Sequence, residues 1–152
     1  NWDLVIDIQV SHGNSVLNLG YATSEDRETL ANSYTTVLNA WTPTNENTSI
    51  AQVRLNADGP SLRQDSHYLD DGSFIRGRNI SLAYTLPKEL TGKIHLNNLR
   101  LFAGIQNAFL ITKYKNGYDP EVSTYPQAFA YGIEFYALPK ARTFNVGVNV
   151  NF

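Results

Sequence analysis

From Thr143 to Phe152 the chain alternates without exception. Phe144, Val146, Val148, Val150 and Phe152 are apolar, and Asn145, Gly147, Asn149 and Asn151 lie between them. Successive side chains of a strand project to opposite faces, so this segment reads as a strand with one wholly hydrophobic face. Its other face is amide and glycine. The opening of the chain repeats the pattern, with Trp2, Leu4, Ile6, Ile8 and Val10 set against Asp3, Val5, Asp7, Gln9 and Ser11. A third segment sets Ile80, Leu82, Tyr84 and Leu86 against Asn79, Ser81, Ala83 and Thr85. In a fourth, Leu99, Leu101, Ala103, Ile105, Phe109 and Ile111 share a face that Asn107 interrupts, while Phe102 falls on the other side. Strands are therefore expected over about 2–11, 74–86, 99–111 and 142–152.

Two all-β architectures satisfy this alternation. One is a soluble antiparallel sandwich with its apolar face inward, which would suit a secreted carbohydrate-binding or adhesion module. The other is an outer-membrane β-barrel with its apolar face on lipid and its polar face lining the lumen. Three features favour the barrel. The polar faces carry Asn, Gly, Ser and Gln where a soluble sheet usually shows Lys and Glu. Aromatics sit at strand ends (Trp2, Phe74, Tyr84, Phe144, Phe152), where interfacial girdles belong. Nine residues rising ~3.3 Å each and tilted about 45° span roughly 21 Å, close to the ~25 Å apolar band of such barrels.

Connection lengths orient the strands. Residues 12–73 and 112–142 are long, whereas Pro87 to Asn98 is short, and bacterial barrels have short periplasmic turns and long extracellular loops. This puts both long connections outside the cell and the end of the last strand in the periplasm. Single-chain barrels begin at eight strands. An open sheet in hydrocarbon would leave its edge groups without partners. The four strands are therefore expected to be part of a larger barrel.

Composition removes other classes. With no Cys there are no disulfides, thiolate metal sites or cysteine nucleophiles. A net charge of -2 supplies no basic field, so a nucleic-acid partner is not expected. His12, His67 and His95 are scattered, and the expected topology sets His95 on the opposite side of the membrane from the other two. No catalytic site, metal site or cofactor is expected. Asp70-Asp71-Gly72 and Asp119-Pro120-Glu121 lack the alternating carboxylates of a calcium loop and read as turns. The sequons Asn47-Thr48-Ser49 and Asn79-Ile80-Ser81 carry no weight in a bacterial envelope protein.

A further set of motifs runs through the chain in order: Leu38 to Asn45 (LNAWTPTN), Asp71 to Arg76 (DGSFIR) and Asn79 to Pro87 (NISLAYTLP). Then come Gln106-Asn107, Thr112-Lys113-Tyr114, Gly117 to Val122 (GYDPEV), Pro139 with Arg142-Thr143-Phe144, and a terminal aromatic. From Trp2 to Phe152 this resembles the C-terminal end of the SusC/RagA family of TonB-dependent outer-membrane transporters of Bacteroidetes-type bacteria. The resemblance implies the last four antiparallel strands of a 22-stranded barrel filled by a plug domain, which is not in this chain. It further implies import of glycans or peptides, a SusD-like lipoprotein over the mouth, and TonB engaged through an N-terminal region that is also not in this chain. Two departures stand out. Gly77 replaces a larger apolar residue and is a candidate bulge, and Lys115-Asn116-Gly117-Tyr118 carries an extra residue that lengthens a turn.

Residue roles follow from this frame. Asp7, Gln9, Asn79, Ser81, Arg100, Gln106, Asn145, Asn149 and Asn151 face the lumen and contact plug or passing substrate. Arg76 and Arg78 share parity with Ile80 and Leu82, which puts two cations on the lipid face. Such a charge costs roughly 2–4 kcal/mol at the bilayer midplane and ~0–1 near the interface, so both are expected at headgroup level on the outer rim. Thr23 and Asp26 resemble a capping box, and Leu30, Tyr34, Val37, Leu38 and Trp41 recur at helical spacing. A short helix is thus expected over about 25–39 in the first outer loop. The second outer loop is aromatic. Tyr118 and Tyr125 read as loop packing beside Pro120 and Pro126, and Tyr114, Phe129, Tyr131, Phe135 and Tyr136 as the surface meeting the lipoprotein. Val150 and Phe152 end the alternating strand in the manner of the signal read by barrel-assembly machinery.

Overall fold

The computed structural model of the chain describes residues 1–25, 32–54, 66–121, 124 and 131–152. Among the described residues seven strands occur in chain order: β1 (Trp2–Ser11), β2 (Ser15–Asn18), β3 (Leu69–Asp71), β4 (Phe74–Thr85), β5 (Asn98–Thr112), β6 (Ile133–Glu134) and β7 (Thr143–Asn151). They divide between two compact units. One comprises residues 1–12, 73–113 and 140–152, and the other 13–72 with 114–139.

The first unit is an open antiparallel sheet in the order β1-β4-β5-β7. Its pairing puts the apolar residues of all four strands in common rows. Trp2, Tyr84, Leu101 and Val148 form one row; Leu4, Leu82, Ala103 and Val146 the next; Ile6, Ile80, Ile105 and Phe144 a third. The Trp2 and Tyr84 rings meet at 4.5 Å between centroids, a cross-strand aromatic contact at one end of the face. Between β4 and β5 the chain makes a short helix (Lys88–Thr91) and a 3-10 turn (Gly92–Ile94), which ends on His95 at φ 56°.

Two irregularities keep the apolar face continuous where the sequence appears to break it. Asp7 pairs with Asn79 but Ile8 pairs with Gly77, so β4 carries an extra residue, Arg78, at this level. One extra residue reverses the parity beyond it. Ile75 and Gly77 thereby join the apolar face, and Arg76 crosses to the polar one. The expectation of two cations on the apolar side is corrected accordingly. Arg78 is an exposed bulge residue, and Arg76 is buried with its guanidinium 5.5 Å from the centroid of Phe74. Phe74, expected in an aromatic girdle, is buried on the polar face beneath it. In β5 two residues, Asn107 and Ala108, fill the same gap and restore the original parity, so Phe109 and Ile111 stay on the apolar side. Asn107 adopts φ 51°, a left-handed conformation that Asn tolerates better than other non-glycine residues. Its Nδ2 donates to the Ala141 carbonyl at 2.7 Å, and its own carbonyl accepts from Arg142 Nε at 3.2 Å.

Glycine supports this sheet through close approach. Gly77 lies opposite Phe109 and Gly147 opposite Phe102, and in each pair a Cβ on the glycine would collide with the facing ring. The aromatic ring covers the backbone that the glycine leaves bare.

The second unit is built on a three-stranded sheet in the order β3-β2-β6, with β2 antiparallel to β3 and parallel to β6. After β2 comes a helix of six residues, α1 (Leu19–Ser24); Thr35–Asn39 and Ser66–Tyr68 form 3-10 turns. Val16, Ala22, Ala40, Ile50, Tyr68 and Tyr114 form its apolar interior. The expected helix over 25–39 is corrected. Helix starts earlier, because Asn18 and not Thr23 is the cap: the Tyr21 N–H donates to Asn18 Oδ1 at 2.7 Å. Thr23 lies inside the helix and donates its hydroxyl to the Leu19 carbonyl at 2.9 Å. Residues 35–39 are a 3-10 turn, and residues 26–31 lie outside the described set.

Asn107→Val should destabilise the protein by about 1–3 kcal/mol, through backbone strain plus a lost hydrogen bond. Asn107→Gly should recover the strain component. Urea unfolding would measure this, and equal midpoints for the two variants would contradict it.

Candidate functional site

The nine residues read as lumen-facing all stand on one face of the four-stranded sheet, opposite the apolar rows. The pairings Asp7–Asn79–Gln106, Val5–Ser81–Gly104–Asn145 and Arg100–Asn149 run across it, Asn151 faces Asn98, and Gln9 faces Arg76. Two charged residues outside the expected lumen-facing set share this face. Arg76 arrives there through the bulge, and Asp3 accepts from Arg100 Nη2 at 3.2 Å. Asp3 and Arg100 lie on strands separated by β4, where they stand opposite Ala83 and Thr85 respectively. Both side chains keep substantial exposure, so this ion pair adds little stability and serves mainly to position Arg100.

The second unit holds a buried polar network. Asn18, 1% exposed, is satisfied on both ends of its amide. Its Oδ1 caps α1, while Nδ2 donates to the Tyr114 hydroxyl at 2.9 Å and to the Asn116 carbonyl at 2.7 Å. Asn116 Nδ2 in turn donates to Asp70 Oδ1 at 3.1 Å. Glu25, fully buried, accepts from the Tyr21 hydroxyl at 2.9 Å and contacts His67 Nε2 at 3.0 Å. Glu134 Oε1 accepts from the Ala137 N–H at 3.0 Å. Buried polar groups are tolerated when partnered in this way. Asp119 Oδ1 accepts from the Glu121 N–H at 3.0 Å, a local turn contact.

Burial sets the titration of this network. The Asp70 carboxyl is raised above its ordinary value by desolvation, against the opposing Asn116 hydrogen bond and the His67 charge. Tyr114 is raised far above the usual phenol range by desolvation, reinforced by the negative charges of Glu134 and Asp70. Tyr21 shifts in the same direction, again chiefly by burial.

The aromatic loop residues separate into two groups. Tyr114 is 6% exposed and serves the interior, which corrects its assignment to a docking surface. Tyr131, Phe135 and Tyr136 are exposed; Phe129 and Tyr125 lie outside the described residues. Tyr118, expected to pack within the loop, is instead one of the most exposed side chains of the unit and lines an open cleft of about 370 Å³. Val150 and Phe152, at the far end of β7, are both exposed.

No protein-family model matches the chain. Individual proteins do. TonB-dependent receptor P3 of Formosa agariphila is 34% identical over 160 aligned residues, covering 100% of this chain and 15% of the relative. TonB-dependent receptor SusC of Bacteroides thetaiotaomicron is 33% identical over 107 residues, 70% of this chain and 10% of the relative. Among solved structures, the RagAB peptide importer in its open-open state superposes with a TM-score of 0.79 at 25% identity, over 99% of this chain and 16% of that one. Its closed-closed state gives 0.78 at 27% identity. The chain spans only 10% to 16% of the length of these relatives.

An open sheet with segregated faces, a second unit with a buried polar network and these likenesses together define a piece of a TonB-dependent receptor. That class consists of non-enzymatic transporters located in the outer membrane. More particularly, the chain is a segment of a SusC/RagA-type receptor, roughly 15% of its length.

The raised tyrosines make stability pH-dependent. In the unfolded chain Tyr114 and Tyr21 deprotonate around their ordinary value of 10.0, whereas the folded unit holds them neutral to higher pH. Unfolding therefore releases protons above about pH 10, and stability falls as pH rises through that region. Tyr114→Phe should flatten the fall in a thermal-melt series from pH 8 to 11; an unchanged slope would count against the burial argument.

Proposed function

We propose that the four-stranded sheet is transmembrane wall from the C-terminal end of a SusC/RagA-type barrel, with its apolar face on lipid and its polar face toward lumen and plug. The observation that carries this reading is a continuous apolar face left in the open. Leu4 is 62% exposed, Ile6 54%, Phe144 72% and Val146 84%. A self-sufficient soluble sandwich would roof these residues with a second sheet, and soluble proteins rarely expose apolar patches of such extent. The outer edges of β1 and β7 fit the same reading, since neighbouring barrel strands would satisfy their backbone groups. The C-terminal placement rests on the order of motifs shared with the family.

On this reading the second unit is extracellular, β7 descends to the periplasm, and the whole receptor imports a glycan or peptide nutrient energised by TonB through a region outside this chain. The RagAB likeness supports a peptide cargo and a SusD-like lipoprotein partner, and the SusC likeness supports a SusC-type receptor. Tyr131, Phe135 and Tyr136 offer that lipoprotein an exposed aromatic surface. Asp7, Gln9, Asn79, Ser81, Arg100, Gln106, Asn145, Asn149 and Asn151 line the lumen, while Val150 and Phe152 present the assembly signal.

Adjacent positions of β7 test the two faces. Val148→Arg should cost roughly 2–4 kcal/mol if it meets the bilayer midplane and lower the amount of folded receptor in outer-membrane fractions. Asn149→Arg should be tolerated. Similar surface levels for the two variants would reject the lipid-facing assignment. Phe152→Asp should abolish outer-membrane assembly, and normal levels of that variant would remove the assembly role.

A further inference from the structure

We propose that Asn116 is a self-modification site, whose side-chain amide is lost to attack by the Gly117 nitrogen and replaced by aspartate or isoaspartate. Asn116-Gly117 is the single Asn-Gly step in the sequence, and it falls within the turn that the extra residue lengthens. The reaction is local to the second unit and does not depend on what the receptor carries.

Attack requires the Gly117 nitrogen to reach Asn116 Cγ, and any side chain on residue 117 would crowd that approach. Packing keeps glycine there, because a Cβ on Gly117 would collide with the Tyr114 ring. The Asn116 side chain is exposed, in a bend outside any helix or strand, so water reaches the amide. Contacts then act on both ends of the reacting group. Asn18 Nδ2 donates at 2.7 Å to the Asn116 carbonyl, the oxygen of the same peptide bond whose nitrogen attacks. When that nitrogen loses its proton, negative charge spreads onto this oxygen, and a donor already in place stabilises it. At the other end, Asn116 Nδ2 donates to Asp70 Oδ1 at 3.1 Å, which holds the departing nitrogen in position.

The step balances without an oxidant or cofactor. A bond forms between the Gly117 nitrogen and Asn116 Cγ, the Cγ–Nδ2 bond breaks, and ammonia leaves with the proton given up by Gly117. Water then opens the cyclic imide. Opening at Cγ gives aspartate, and opening at the main-chain carbonyl carbon gives isoaspartate. Overall, water is consumed and ammonia released.

Either product is at odds with its surroundings. The amide that donated to Asp70 becomes a carboxylate facing a carboxyl that desolvation already disfavours as an anion. Isoaspartate also routes the main chain through the former side chain and displaces the carbonyl that Asn18 holds. The tie between Asn18, β3 and the segment after β5 therefore weakens as the protein ages.

The test holds the full-length receptor in detergent at pH 8 beside the same receptor unfolded in urea. Peptides spanning residue 116 are followed by mass spectrometry and by enzymatic methylation of isoaspartate. Folded receptor should convert Asn116 at least about tenfold faster than the other asparagines of this chain, and no more slowly than in urea, where the Asn18 donor is lost. Asn116→Gln keeps an amide but must close a larger ring, and should give no product. Asn116→Asp should lower the thermal midpoint, and adding Asp70→Asn should restore it. Conversion confined to urea, or spread evenly among the asparagines, would overturn the site. Slower conversion in the folded receptor than in urea would overturn the assistance assigned to Asn18. An unaltered midpoint for Asn116→Asp would overturn the weakening drawn from it.

Discussion

Side-chain parity governs the sheet unit. With one face built from Ile, Leu, Val and aromatic residues, a single unmatched slip would carry an entire strand's apolar set to the wrong side. The level of Asp7 is where this danger arises, and three neighbouring strands meet it with different residue counts. Strand β1 passes directly from Asp7 to Ile8, β4 spends Arg78, and β5 spends Asn107 and Ala108. The outcome is four strands in one register of rows, with Arg76 moved to the face where a cation can rest on Phe74.

Much of this arrangement was legible in the amino acids, because a period of two is unmistakable when one face is free of polar groups. β7 and β1 could be read almost residue by residue, and the polar set from Asp7 to Asn151 does share a face. The bulge was only hinted at, by Gly77. Literal counting gave Arg76 the wrong side, since parity arithmetic has no means of detecting one inserted residue. Asn107 looked like a flaw in the apolar stripe for the same reason. Its left-handed backbone and the two hydrogen bonds to the segment before β7 make it a fastening.

The loop unit was far less legible. Strands of two to four residues are too short to show periodicity, so the β3-β2-β6 sheet left no trace, and a parallel pairing between distant segments has no local signature. The helical spacing from Leu30 to Trp41 competed with a better cap upstream, where Asn18 already had two further partners to hold. Aromatic content marked the second loop as important, yet it could not distinguish Tyr114, buried under the Asn18 amide, from Tyr118, exposed in the cleft. That distinction depends on long-range hydrogen bonds.

Asn18 joins segments that are nearly a hundred positions apart, and β2 lies beside β6 in the same small sheet. The two long connections are thus a single cassette, as far as inheritance is concerned. A recombination event that replaced one of them with the counterpart from a cousin would strand an amide, a phenol and a carbonyl at once. Diversification of this surface should proceed by exchanging both connections together, or by point changes confined to the cleft rim, leaving Asn18, Tyr114 and Gly117 as the fixed hub.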